Sequence, residues 1–127
     1  MTFATTSYSP ARAETPDEWI TLGQRIHGGF GSYLALGIRI GLDARNRLAA
    51  EPRELDVTYE TGVDAPCPCV ADGIMIVTVA SPGQNTLRVL FNQTDRNLFG
   101  VAVIRHRKTG ETLRYLIPAS TRLLLDR

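Results

Sequence analysis

Between Ile26 and Leu42 the chain reads I-H-G-G-F-G-S-Y-L-A-L-G-I-R-I-G-L, and this stretch restricts the fold more than any other. Gly28, Gly29 and Gly31 crowd into one short loop, where the missing side chains let the backbone turn sharply or approach another group closely. Ser32 follows as a good N-cap, because its hydroxyl can accept from the free N–H groups of a first helical turn. Gly37 and Gly41 then stand four apart on one face of the helix that follows. Each costs about 1 kcal/mol against alanine, which close approach of a strand or partner helix would offset. The pattern therefore predicts two helices broken at the loop, the second pressed against a neighbour along its glycine face. The loop itself forms a small cradle at a helix N-terminus, a place suited to anions and polar ligand groups.

Composition excludes several classes of function. With 127 residues the chain is one domain by size, large enough for its own core. Fourteen basic and thirteen acidic side chains leave a net charge of +1, without the clustered basic excess of a nucleic-acid footprint. The short run Arg105-His106-Arg107-Lys108 reads as a solvated hairpin end, with His106 exposed. No apolar run approaches the roughly 20 residues that span a bilayer, so no membrane partner is expected. Residues 1–15, rich in Ser, Thr and Ala, lack the apolar region of a secretion signal and read as a flexible tail or an arm on a neighbour. Cys67 and Cys69 are too close to staple distant parts of a fold, and a reducing cytoplasm is the default reading.

The remaining elements follow from periodicity. Thr15-Pro16-Asp17-Glu18 supplies an N-cap, a proline at the first helical position and a capping-box glutamate. Trp19, Leu22 and Ile26 then make one apolar stripe of a helix ending near His27. The second helix is predicted from Ser32 to Ala50, with Leu34, Ile38, Leu42 and Leu48 facing the core and Pro52 stopping it. Leu55, Val57 and Tyr59 alternate with polar residues, as in a half-buried strand. Gly62 to Cys69 is a loop stiffened by Pro66 and Pro68. Asp72 to Val79 is ambiguous, with β-branched composition favouring a strand and Asp72 as an N-cap favouring a helix. Thr86–Phe91, Phe99–Arg107 and Thr112–Ile117 read as three antiparallel strands of a meander. Gly110 supplies positive φ in the last hairpin, and Pro118 opens a short final helix. The sum is an α+β domain in two layers over residues 16–127.

Three segments, in order, resemble the FmdE domain family, named for a component of formylmethanofuran dehydrogenase. His27-Gly28 with Leu34-Ala35-Leu36-Gly37-Ile38-Arg39 is similar to the family's H-G-H-x-C-P-G-L-A-L-G-x-R. Cys69-Val70-Ala71-Asp72-Gly73-Ile74 is similar to its C-x-x-D-[AG]-I at the head of a helix, a resemblance that favours helix for the ambiguous segment. Arg107-Lys108-Thr109-Gly110, with Arg114 beyond, is similar to its R-x-T-G hairpin. The departures are equally specific. The family's second histidine falls on Gly29, its loop cysteine on Gly31, its proline and glycine on Ser32 and Tyr33, and a further cysteine on Ala80. The cysteine-rich zinc-binding tail of longer members is not expected here. The resemblance implies an α+β fold, a tight homodimer and a link to one-carbon metabolism on methanofuran-type carriers.

Of the family's polar constellation, His27, Cys69 and Asp72 remain as candidate catalytic residues. His27 can serve as a general base or a metal ligand, or it can simply hydrogen-bond loop backbone. His27, Cys67 and Cys69, with Asp72, are the candidate donors for a metal, zinc being the candidate cofactor. Alternatively, Cys69 is a nucleophile, or at least one cysteine is an inert thiol, buried or half-buried. Asp72 can equally do no more than cap its helix. Gly28, Gly29, Gly31, Ser32, Tyr33 and Arg39 are the candidate ligand-binding residues, for a small anionic or pterin-like ligand. Arg39 can instead bridge to Glu60 or Asp64. Two functions follow: a ligand-binding or accessory protein with a degenerate metal–thiol site, or an enzyme of one-carbon or cofactor metabolism. A third role, partner of a larger complex, would use the tail and the Gly37/Gly41 face.

Overall fold

The computed structural model describes residues 15–62, 65 and 67–125. The tail expected over residues 1–15 therefore lies, Thr15 apart, outside the described residues. Helix α1 (Pro16–His27) starts as the sequence dictates. The Thr15 hydroxyl accepts from the Glu18 N–H at 3.3 Å, and Gly28 closes the helix in the left-handed region at φ 84°. Helix α2 (Ser32–Arg47) follows directly. Its N-cap is Gly31 rather than Ser32, which is the first helical residue and donates its hydroxyl to the Leu125 carbonyl at 2.8 Å. The helix also ends sooner than its apolar pattern predicts. Leu48 caps it and Ala49 turns to φ 48°, which swings Leu48 and Ala50 into the core without three more helical residues.

Strand β1 (Leu55–Gly62) buries Leu55, Val57 and Tyr59 on alternate positions, as expected. The ambiguous segment is helix α3 (Cys69–Thr78), which begins three residues before Asp72. Asp72 consequently lies within the first turn instead of capping it, and Pro68 holds the cap position. Strands β2 (Leu87–Gln93), β3 (Leu98–His106) and β4 (Thr112–Pro118) complete the sheet, and helix α4 (Thr121–Leu125) closes the described chain. Pro118 belongs to the end of β4, so the last helix opens three residues later than expected.

The meander is corrected by the topology. Sheet order is β2-β1-β3-β4, with β1 parallel to β2 and antiparallel to β3. β1 thus separates β2 from β3, and the sheet is mixed. Parallel neighbours need a crossover longer than a hairpin, and α3 supplies it. Local patterning cannot distinguish this from a meander, because β2 and β3 run in opposite directions either way. The β3–β4 hairpin is as predicted, with Gly110 at φ 78°.

Helices α2 and α3 lie on one face of this sheet. Ile40, Ala44 and Leu48 of α2 and Val70, Ala71 and Ile74 of α3 share a buried cluster with Leu55, Val57, Tyr59, Ala102 and Ile104. A second cluster of Leu34, Ile38, Ile76 and Val77 receives Trp19 from α1. The rest of the α1 stripe is not core, since Leu22 is 39 % and Ile26 48 % exposed. The glycine face of α2 meets its neighbour at backbone distance. A Cβ on Gly37 would overlap the Val70 carbonyl and stand 2.9 Å from the Gly73 Cα, and a Cβ on Gly73 would stand 2.8 Å from the Ile38 nitrogen. The partner is α3, so the Gly37/Gly41 face is an internal contact and not a surface for another protein.

His106, expected in solvent, is buried at 5 % exposure. Its Nδ1 accepts from the Lys108 and Thr109 N–H groups at 3.1 and 3.3 Å, and its Nε2 faces Glu54 at 3.4 Å. The imidazole therefore organises the hairpin turn, a role invisible in the basic run around it. On the sheet face opposite α2 and α3, Arg88 forks onto Asp56 with two 2.9 Å bonds, which hold the Asp56 carboxyl below the usual carboxylate range.

Candidate functional site

A side-chain pair joins the last turn of α1 to the first turn of α3. His27 Nδ1 lies 2.7 Å from Asp72 Oδ2, across 45 residues of sequence. The helix–glycine–helix turn presents His27 at the end of α1. The Gly37–Gly73 crossing holds α3 at the depth that lets Asp72 reach it. An ionised carboxylate only accepts hydrogen bonds, so the His27 Nδ1–H donates to Asp72, and in the neutral imidazole Nε2 is the remaining acceptor. Both side chains are partly accessible, at 30 % and 37 %.

This pair lines a cavity of about 310 Å³. Cys69, Asp72 and Met75 recur every three residues along α3 and present one helix face to the cavity. Leu87 and Val89, alternating on β2, form another wall, and Cys67, Pro68, Ala71 and Pro82 complete it. The walls are largely apolar, and His27 and Asp72 supply a bonded polar pair among them, the general character of a small-molecule site. Met75, Leu87 and Val89 were not singled out from sequence. The only available signal was the i, i+3, i+6 recurrence from Cys69, since the β2 wall depends on sheet order.

The two cysteines are joined by a disulfide, Cys67–Cys69. Their Cα atoms are 5.4 Å apart, within the range a disulfide accepts. Neither sulfur is a free thiol in this state, which departs from the expectation of two thiols in a reducing compartment. The bonded pair also offers no thiolates for zinc. Among the described residues, no three His, Cys, Asp or Glu side chains converge as a metal site.

The cradle residues lie elsewhere. Gly28, Gly29, Gly31, Ser32, Tyr33 and Arg39 do not line the cavity. Tyr33 stacks on Phe99 with ring centroids 5.1 Å apart, anchoring α2 to the sheet. Ser32 is bonded to α4, as above. Arg39 is exposed on α2 and bridges neither to Glu60 nor into the cavity; Asp64 lies outside the described residues. The structure thus gathers His27, Cys67, Cys69 and Asp72 into one site and leaves the cradle apart from it.

Residues 26–124 match the family model described as "FmdE, Molybdenum formylmethanofuran dehydrogenase operon". The chain belongs to the FmdE family. The match begins at the turn of α1 that carries His27 and runs through α3 and the whole sheet, so every residue of the cavity falls within it. The family description links this domain to the operon of a one-carbon enzyme. No curated protein matches the sequence. No described helix is long and apolar enough to cross a membrane.

Proposed function

We propose that this FmdE-family domain is a ligand-binding or accessory protein of one-carbon metabolism, and that its ligand is pterin-like. The observation that carries the reading is the His27–Asp72 pair on the wall of an otherwise largely apolar cavity. A pterin is a flat ring system whose amino and ring N–H groups lie along one edge. The apolar walls suit its faces, and the Asp72 carboxylate suits the donor edge while His27 fixes the carboxylate's orientation. A simple anion is the poorer occupant, because it would meet the Asp72 charge. The binding test is fluorescence titration with a methylpterin. Saturable binding is expected, weakened about tenfold to a hundredfold by Asp72→Ala, as for loss of a hydrogen bond to a charged group. Equal affinity of the two proteins would sink the reading.

The same pair favours one second reading, an enzyme in which His27 Nε2 is the base and Asp72 its positioning partner. Chemical change of a bound one-carbon pterin, lost in His27→Gln with binding retained, would select it over the first. A homodimer belongs to the proposal as well. The Ser32–Leu125 bond sets α4 beside the glycine loop, so that exposed Phe30, Leu123 and Leu124 gather at one end and a second copy would cover them. Sedimentation at twice the 14.0 kDa chain mass is the expected result.

A further inference from the structure

The proposed ligand binding leaves the redox chemistry of the disulfide on the cavity wall unused. It closes a loop with a single residue between its cysteines, so it restrains the unfolded chain far less than a long-range crosslink does. Its sulfurs belong to residues on the cavity wall, both of them half-buried rather than enclosed. Accessible disulfides of this kind are the labile ones, whereas structural disulfides resist reduction. The two cysteines also differ in setting. Cys69 is the first residue of the ten-residue helix α3, where unpaired N–H groups favour a thiolate, and Cys67 lies before the helix.

We propose that Cys67–Cys69 is a thiol–disulfide exchange site acting on small thiols and disulfides that enter the cavity. In the reduced state the Cys69 thiolate attacks an external disulfide RSSR. Its S–S bond breaks, one RS⁻ leaves and takes up a proton, and Cys69–S–S–R forms. Cys67, losing its proton to solvent or to a base on the same wall, attacks the Cys69 sulfur and expels the second RS⁻. The ring closes, the cysteine pair has given up two electrons, and RSSR has become two RSH. Two external thiols reverse every step and return the dithiol. The cavity is the one invoked for pterin binding, but the exchange needs no pterin, so either reading can fail alone.

The test uses the full chain without other ligand. Dithiothreitol is expected to reduce the pair while the far-UV circular dichroism stays native. After its removal, oxidised glutathione is expected to restore the disulfide and release two equivalents of glutathione, read by mass and thiol assay. Cys67→Ser is expected to trap one glutathionyl group on Cys69. That adduct should form roughly fivefold or more faster than the adduct on Cys67 of Cys69→Ser, reflecting the helix N-terminus. Reduction that requires unfolding, or equal rates in the two variants, overturns the proposal. If either variant fails to fold, the wild-type arm decides alone: failure to re-form the disulfide with release of two glutathiones overturns it.

Discussion

Gly37→Ala is expected to destabilise the protein by about 2 kcal/mol, although alanine is the better helix former. Two effects oppose each other. Helix propensity favours alanine by about 1 kcal/mol. Against it, the new methyl group would overlap the Val70 carbonyl and press on the Gly73 Cα at 2.9 Å, both backbone atoms of α3. Backbone cannot rotate aside as a side chain can, so the cost belongs near the upper end of overpacking, about 3 kcal/mol. The helices must separate, and the shift moves Asp72 away from His27. Gly29→Ala is the control, since a Cβ there meets nothing within 4 Å, and its effect is expected within about 0.5 kcal/mol. Urea unfolding of both variants checks the pair. A Gly37→Ala protein as stable as wild type would mean that the α2–α3 contact is not as close as described.

The second large effect is expected at Tyr59, and its sign depends on what is removed. The side chain is fully buried beneath α2 and α3, yet among the described residues its hydroxyl has no hydrogen-bond partner. Burial alone pushes its pKa well above that of an ordinary phenol. An unpartnered buried hydroxyl costs roughly 1–3 kcal/mol of desolvation, while the ring gives the sheet its largest fully buried side chain. Tyr59→Phe keeps the ring and deletes the cost, so it is expected to stabilise the fold by about 1 kcal/mol. Tyr59→Ala leaves a ring-sized void and is expected to lose about 3–5 kcal/mol. Denaturation midpoints at unchanged m-value measure both. A Tyr59→Phe variant clearly less stable than wild type would show that the hydroxyl has a partner.

Much of the fold was written locally. The capping box at Thr15, the break at Gly28, the alternation of β1 and the positive φ of Gly110 each rest on residues a few positions apart. Expectations failed where a distant element decided. Ser32 is a competent cap, but Gly31 takes that place and the serine hydroxyl goes to α4 instead. His106 sits among arginines and lysine, yet strand register turns its ring inward onto the N–H groups of its own hairpin. β2 looked like the first strand of a meander until β1 was placed between it and β3.

The candidate site divides the same way. His27, Cys69 and Asp72 were legible as residues worth weighing, and their chemistry belongs to their side chains wherever they stand. The glycines determined that α2 needed a close neighbour and that the chain had to turn after His27. Only the tertiary structure decided that this neighbour is α3, that Asp72 meets His27 across 45 residues, and that β2 walls the space beside them. The reason is physical. Helix caps, turns and strand alternation are set by energies between near neighbours along the chain. A cavity is set by which distant backbones can approach, and here that is governed by the Gly37–Gly73 crossing and the parallel pairing of β1 with β2.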